Sequence, residues 1–225
     1  MTANEPIDFA AQRATMVAEQ LRGRGIRDTA VLRAMLTVPR EIFVAPTYRP
    51  HAYEDGPLPI PHKQTISQPY VVAYMLSLLQ LRPEDTVLEV GAGSGYAAAV
   101  LSRIVRAVYA IERYEELVHY AQKRLDYLGY DNVTLIHGDG TKGYLPGAPY
   151  EAIVVAAGGP AVPETLQEQL AVNGRLIIPI GRDRRQQNLV LVTRLSETEF
   201  EQKTKGPVAF VPLIGEQGWA KTING

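Results

Sequence analysis

The stretch Thr86-Val-Leu-Glu-Val-Gly91-Ala-Gly-Ser-Gly95-Tyr96 limits the folds open to this chain more than any other. Residues 86–90 are β-branched or apolar except for Glu89, a composition suited to a buried parallel strand. Three glycines then alternate with small residues. The apolar run 96–105 sets Ala98, Leu101 and Val105 at helical spacing. Strand, glycine turn and helix N-terminus in that order make a recurring nucleotide site. Glycine lets the main chain approach a ligand, and the first helical N–H groups are free donors.

The loop is not the dinucleotide fingerprint, whose third glycine would fall where Tyr96 stands. Its G-x-G-x-G pattern resembles the S-adenosyl-L-methionine loop of class I methyltransferases. That cofactor has no phosphate, so a wider turn facing an amino-acid tail and a ribose is chemically reasonable. A tight strand-to-helix turn with no ligand is the plainer alternative. Glu89 bears on the choice, because a carboxylate in a strand expected to be buried needs a partner. The cationic methionyl amine would be one.

Ahead of the loop, residues 8–22 carry Ala10, Ala14, Val17 and Leu21 on one helical face, ended by Gly23 and Gly25. Asp28 can cap a second helix bearing Val31, Leu32, Met35 and Leu36, which Pro39 stops. Residues 43–61 are rich in proline and tyrosine. They are too apolar for a free linker and too broken for a helix, which predicts an ordered surface wrap. Pro69 suits the first turn of a helix carrying Val72, Met75, Leu76 and Leu79. Ser67 just before it reads as a helix cap or as part of a ligand site, and the pattern leaves both open.

Beyond the loop, a strand over 107–111 ends in Glu112, where a βαβ unit can offer a carboxylate to both ribose hydroxyls. A surface glutamate opening a helix is the alternative. A helix over 114–128 closes at Gly129, and a strand over 133–136 leads to Gly138-Asp139-Gly140. Asp139 could accept the exocyclic amine of adenine or merely form a turn. Strands over 152–156, 176–180, 189–193 and 208–213 bring the total to about seven, predicting a doubly wound, mostly parallel α/β sheet. After 152–156 comes Ala157-Gly-Gly-Pro160, not the Asn- or Asp-Pro-Pro-aromatic tetrapeptide common in enzymes that methylate base amines.

With 225 residues and 46% apolar content, the chain suits one domain with a full core. Within it, 1–80 would form N-terminal helices and a substrate-side wrap, and 81–225 the cofactor-binding sheet. The 23 basic and 24 acidic residues give no global field to recruit nucleic acid or an anionic membrane. There is no cysteine, which excludes disulfides and thiolate chemistry and suits a reducing compartment. No apolar run nears the roughly 18 residues of a spanning helix. A cytoplasmic monomer is expected. His51, His62, His119 and His137 do not fall at metal-ligand spacings, so no metal is expected. Trp219 could close over a cofactor or pin the C-terminal tail.

Several segments together resemble the protein-L-isoaspartate O-methyltransferase family, over about residues 16–219. They are Pro39-Arg-Glu-Ile-Phe-Val, Ala52-Tyr-Glu-Asp, Leu58-Pro-Ile, Gln64-Thr-Ile-Ser-Gln-Pro, Leu88-Glu-Val-Gly-Ala-Gly-Ser-Gly-Tyr, Gly138-Asp-Gly and Phe210-Val-Pro-Leu. The Thr-Ile-Ser-x-Pro segment is the specific part, since the glycine loop is common to many methyltransferases. The resemblance implies a Rossmann-like class I methyltransferase fold with an N-terminal helical and loop extension. It implies methyl transfer from S-adenosyl-L-methionine to the free carboxylate of isoaspartyl residues in damaged proteins, leaving S-adenosyl-L-homocysteine. The ester then cyclises to a succinimide, which hydrolyses partly to normal aspartate. By the same resemblance Ser67 would steer the substrate carboxylate. Thr65, Ile66, Gln68, Glu89, Gly91, Ala92, Gly93, Ser94, Gly95, Glu112, Arg113, Asp139 and Gly140 would hold the cofactor.

One segment departs from the family, which often has glycines where this chain has Pro61-His62-Lys63. That change leaves the backbone less free to adopt positive φ. His62 and Lys63 could also help attract an anionic substrate. Two other readings share the glycine loop: a methyltransferase with another acceptor, and a binding module that has lost transfer.

Overall fold

The computed structural model describes residues 7–183 and 186–220, and sets the glycine-loop strand inside a seven-stranded sheet. Helix α1 (Phe9–Thr15) runs directly into a π-helical turn, Met16–Arg22, and α2 (Thr29–Thr37) follows. The wrap then leads to a hairpin of β1 (Leu58–Ile60) and β2 (Gln64–Ile66), and to α3 (Pro69–Leu79). The central region alternates as β3 (Thr86–Val90), α4 (Tyr96–Ser102), β4 (Ala107–Glu112), α5 (Glu115–Leu128) and β5 (Val133–His137). It continues through β6 (Tyr150–Val155), α6 (Glu164–Glu168), β7 (Leu170–Ile180), β8 (Gln187–Arg194) and β9 (Phe200–Val208).

Sheet order is β5-β4-β3-β6-β7-β8-β9; the first five in this order are parallel, and β8 runs antiparallel to both its neighbours, β7 and β9. Every residue of β3 is buried, as its near-continuous apolar run requires of a strand covered on both faces. Strand order reverses between β3 and β6, which opens a crevice at their carboxyl ends. The glycine loop lies there.

The N-terminal segment shares the core of the sheet. Met16, Leu21, Met35 and Phe43 belong to the same apolar cluster as Val87, Leu101 and Val108. Asp28 caps α2, accepting from the N–H groups of Ala30 and Val31 at 3.0 Å each. The wrap is ordered, with Phe43, Val44 and Ala52 fully buried.

Two strands differ most from expectation. The strand expected at 176–180 begins at Leu170, with Asn173 at φ 68° and a register shift opposite Tyr150 and Ala152. The strand expected at 208–213 is displaced to Phe200–Val208. This strand lies on the sheet edge with residues 201–204 exposed, so its main chain pairs with β8 while its polar side chains hide the signal. The apolar residues after it cross the end of the sheet, where Val211 and Leu213 exchange hydrogen bonds with Gly158 at 2.8 Å.

Because the α2 cap serves stability alone, Asp28→Ala should cost about 1 kcal/mol. A lower urea midpoint with unchanged cofactor affinity would bear this out, and an unchanged midpoint would refute it.

Candidate active site

The glycine loop is held from below by β4. Gly91 and Ala92 both donate to the Ile111 carbonyl, at 2.8 and 3.1 Å, so the main chain turns sharply out of the sheet. Gly91, Gly93 and Gly95 take positive φ of 91°, 54° and 86°, the left-handed region that side chains disfavour. At the tip of β4, Glu112 accepts from Gly93 N–H through Oε2 and from Tyr114 N–H through Oε1, each at 3.0 Å. Each oxygen keeps a further lone pair for a ligand.

Glu89 is the least comfortable group in the site. It is 1% exposed, and its Oε2 has no hydrogen-bond partner. Burial first, and the neighbouring Glu112 second, push its carboxyl well above the ordinary carboxylate range. A buried acceptor without a donor, facing a cleft, calls for a cationic or donor group from a ligand.

A cleft of about 790 Å³, including its mouth, joins this loop to the β1–β2 hairpin. Thr65, Ile66 and Ser67 line it together with Glu89, Gly91, Ala92, Gly93, Ser94, Glu112, Arg113 and Gly140. The hairpin is seated on the loop: a Cβ added at Gly93 would come within 3.3 Å of Ile60 Cδ1. Ser67 does not cap α3. The N-cap is Gln68, without a side-chain cap, and no hydrogen bond to the Ser67 hydroxyl occurs among the described residues. The Ser67 carbonyl accepts from Arg40 Nη2 at 2.8 Å.

Three expected contacts fall outside the cleft lining. Gln68 turns away, its Nε2 donating to Asp55 Oδ1 at 2.7 Å. Gly95 makes room for α5, since a Cβ there would lie 3.0 Å from Ala121 Cβ. Asp139 faces the C-terminal strap, accepting from Thr141 N–H and Oγ1 at 2.9 and 2.7 Å and from Glu216 N–H at 2.8 Å. Burial alone would raise its carboxyl, but the Glu216 amide and the two Thr141 bonds outweigh this and hold it below its usual range.

The strap also supplies what sequence reasoning missed. Residues 211–214 line the cleft, as does Val72. Their apolar run is legible in the sequence, where 208–213 reads as a strand rather than as a cleft wall. Trp219 pins this strap, its indole N–H donating to the Gly158 carbonyl at 2.9 Å, and it does not line the cleft. Tyr114, another wall residue, stacks on His62 with ring centroids 4.8 Å apart. His62 and Lys63 reach φ of 60° and 57° without glycine, contrary to the restriction expected of them. Each such residue costs about 1 kcal/mol or more. The Tyr114 stack and a 3.6 Å approach of His62 Nε2 to Glu116 help offset it.

The state of Glu89 has a pH signature. The folded protein keeps a proton that the unfolded chain releases in the ordinary carboxylate range, so ligand-free stability should fall as pH rises through and above that range. In Glu89→Gln this slope should vanish and neutral-pH stability should rise, while cofactor affinity drops. Urea midpoints against pH that run parallel in the two proteins would refute the assignment.

Residues 12–218 match the family model for protein-L-isoaspartate(D-aspartate) O-methyltransferase. A Pelobacter propionicus protein-L-isoaspartate O-methyltransferase is 57% identical over 92% of both chains. A Rhodopseudomonas palustris protein-L-isoaspartate O-methyltransferase is 53% identical over 97% of this chain and 89% of its own. A solved protein-L-isoaspartate O-methyltransferase superposes with a TM-score of 0.84 at 31% identity, covering 92% of this chain and 67% of that one. A Plasmodium falciparum structure described as such an enzyme, with S-adenosyl-L-homocysteine bound, has a TM-score of 0.78 at 29% identity, covering 90% and 98%. The chain belongs to the protein-L-isoaspartate O-methyltransferase family of class I methyltransferases.

Proposed function

We propose that the cleft binds S-adenosyl-L-methionine and that Ser67 directs an isoaspartyl carboxylate toward it. The protein is an S-adenosylmethionine-dependent carboxyl methyltransferase of isoaspartyl residues, starting their repair through a succinimide. The observation that carries the site reading is that one cleft brings the Thr65–Ser67 segment at the end of β2 against the glycine loop, Glu89 and Glu112.

The residues present fit the cofactor. Glu89 offers its unpaired oxygen to the ammonium of the methionyl tail, and Glu112 its remaining lone pairs to the ribose hydroxyls. Gly91, Ala92, Gly93 and Ser94 bring main chain close, and Thr65, Ile66, Arg113 and Gly140 complete the lining. Gly140 is required for space, because a Cβ there would lie 2.4 Å from Val90 Cγ1.

When bound, the cofactor supplies an electrophilic sulfonium methyl group. The substrate carboxylate, with a pKa near about 4, is ionised at pH 7 and needs no general base. The protein's contribution is therefore orientation and exclusion of water. The Ser67 hydroxyl, free of intramolecular bonds among the described residues, donates to the incoming carboxylate. Val72 and the strap residues Val211 and Leu213 make the surroundings apolar, and weak solvation favours a step in which opposite charges cancel.

Labelled cofactor with an isoaspartyl peptide and its aspartyl twin tests this directly, and methyl ester should form on the first alone. Ser67→Ala should lower turnover about tenfold or more with cofactor affinity nearly intact. It should leave the urea midpoint almost unmoved, since Ser67 caps nothing. Ser67→Asp should be worse, setting a second carboxylate against the substrate's charge. An Asp variant that folds and turns over at the parent rate would overturn the role.

A further inference from the structure

Arg40 is fully buried, and no ion pair with a carboxylate accompanies it among the described residues. Its Nε donates to the Ala52 carbonyl and its Nη2 to the Ser67 carbonyl, both at 2.8 Å. The guanidinium carbon lies 4.8 Å from the ring centroid of Tyr96, the first residue of α4 and part of the cleft wall. Nη1 is buried and makes no hydrogen bond, and the Tyr96 side chain is the main polar support of the charge. The backbone N–H of Arg40 donates to Tyr53 Oη at 3.2 Å, and that hydroxyl in turn donates to Glu41.

A desolvated guanidinium without a counter-charge costs several kcal/mol, and apolar residues of similar volume often replace buried ions without loss of stability. Stability alone therefore does not account for it. What the planar fork does here is geometric. Two of its donors clamp the main chain at Ala52 in the wrap and at Ser67 in the turn, while its face rests on the helix that follows the glycine loop. The peptide carrying Ser67 is thereby referenced to the cofactor side of the cleft. An ammonium on a flexible stem cannot hold both carbonyls in that fixed relation.

We propose that Arg40 is a positioning residue for methyl transfer, locking the Ser67 turn so that its hydroxyl meets the substrate carboxylate. This rests on the reading of Ser67 given above.

The test uses the full chain with an isoaspartyl peptide. Activity of the unaltered protein comes first, since its absence would overturn the functional reading itself. Arg40→Lys should then bind S-adenosyl-L-homocysteine within about twofold of the parent while kcat falls about tenfold or more. Combined with Ser67→Ala, the two losses should fail to multiply, because one acts through the other. Parent kcat in Arg40→Lys, or losses that multiply fully, would overturn the proposal and leave the functional reading standing. Should Arg40→Lys not fold, the Arg40 guanidinium resonances of the unaltered protein decide. They should shift when isoaspartyl peptide is added to protein saturated with S-adenosyl-L-homocysteine, and unmoved resonances would overturn the proposal.

Discussion

Two carboxylates buried at the carboxyl ends of neighbouring parallel strands set the terms for this structure. Glu89 and Glu112 are 1% and 5% exposed, and the Glu112 charge adds to the burial that disfavours ionising Glu89. The fold answers them differently. Glu112 receives two backbone N–H groups, which also fix the glycine loop and the start of α5. Glu89 keeps an oxygen with no partner. One acid is thus built into the frame, and the other waits for a cation. In the proposed binding mode that asymmetry gives the cleft its direction, with the cationic amino-acid tail at Glu89 and the hydroxyls at Glu112.

The second requirement is to bring a substrate-side group to that cleft from a distant part of the sequence. The N-terminal segment does so by sharing the sheet's core rather than by touching its surface. Its hairpin packs Ile60 over Gly93, and its buried polar network runs from Arg13 and Glu41 through Tyr53 to Arg40 and the Ser67 carbonyl. The strained pair His62 and Lys63 sits at the tip of the same hairpin, held by the stack on Tyr114. The placement proposed for Ser67 would thus be maintained against both polar burial and backbone strain.

The sequence made the parallel strands legible because their apolar runs are nearly uninterrupted, and β3 is buried along its whole length. The glycine loop, Glu89 and Glu112 followed from that one assignment. The misses have physical reasons. An edge strand of charged residues carries little periodic signal, so β9 was displaced by its apolar successor. Gln68, Gly95 and Asp139 stand beside residues that line the cleft without lining it themselves, and each meets a local demand that spacing does not reveal: a bond to Asp55, the approach of Ala121, and the strap at Glu216. Arg40 is invisible to pattern reading, since nothing in its neighbours predicts full burial. What the family resemblance added was the substrate and the role proposed for Ser67, which geometry alone would not name.

Burial and the Glu112 charge favour the neutral form of Glu89, and a cationic ligand at its unpartnered oxygen would favour the carboxylate. Calorimetric titration with S-adenosyl-L-homocysteine, in buffers of differing ionisation enthalpy at mildly acid pH, measures the proton directly. The ammonium of the ligand should drive Glu89 to ionise, so binding should release a proton in the unaltered protein and not in Glu89→Gln. Binding of normal affinity with no proton released by the unaltered protein would contradict the account.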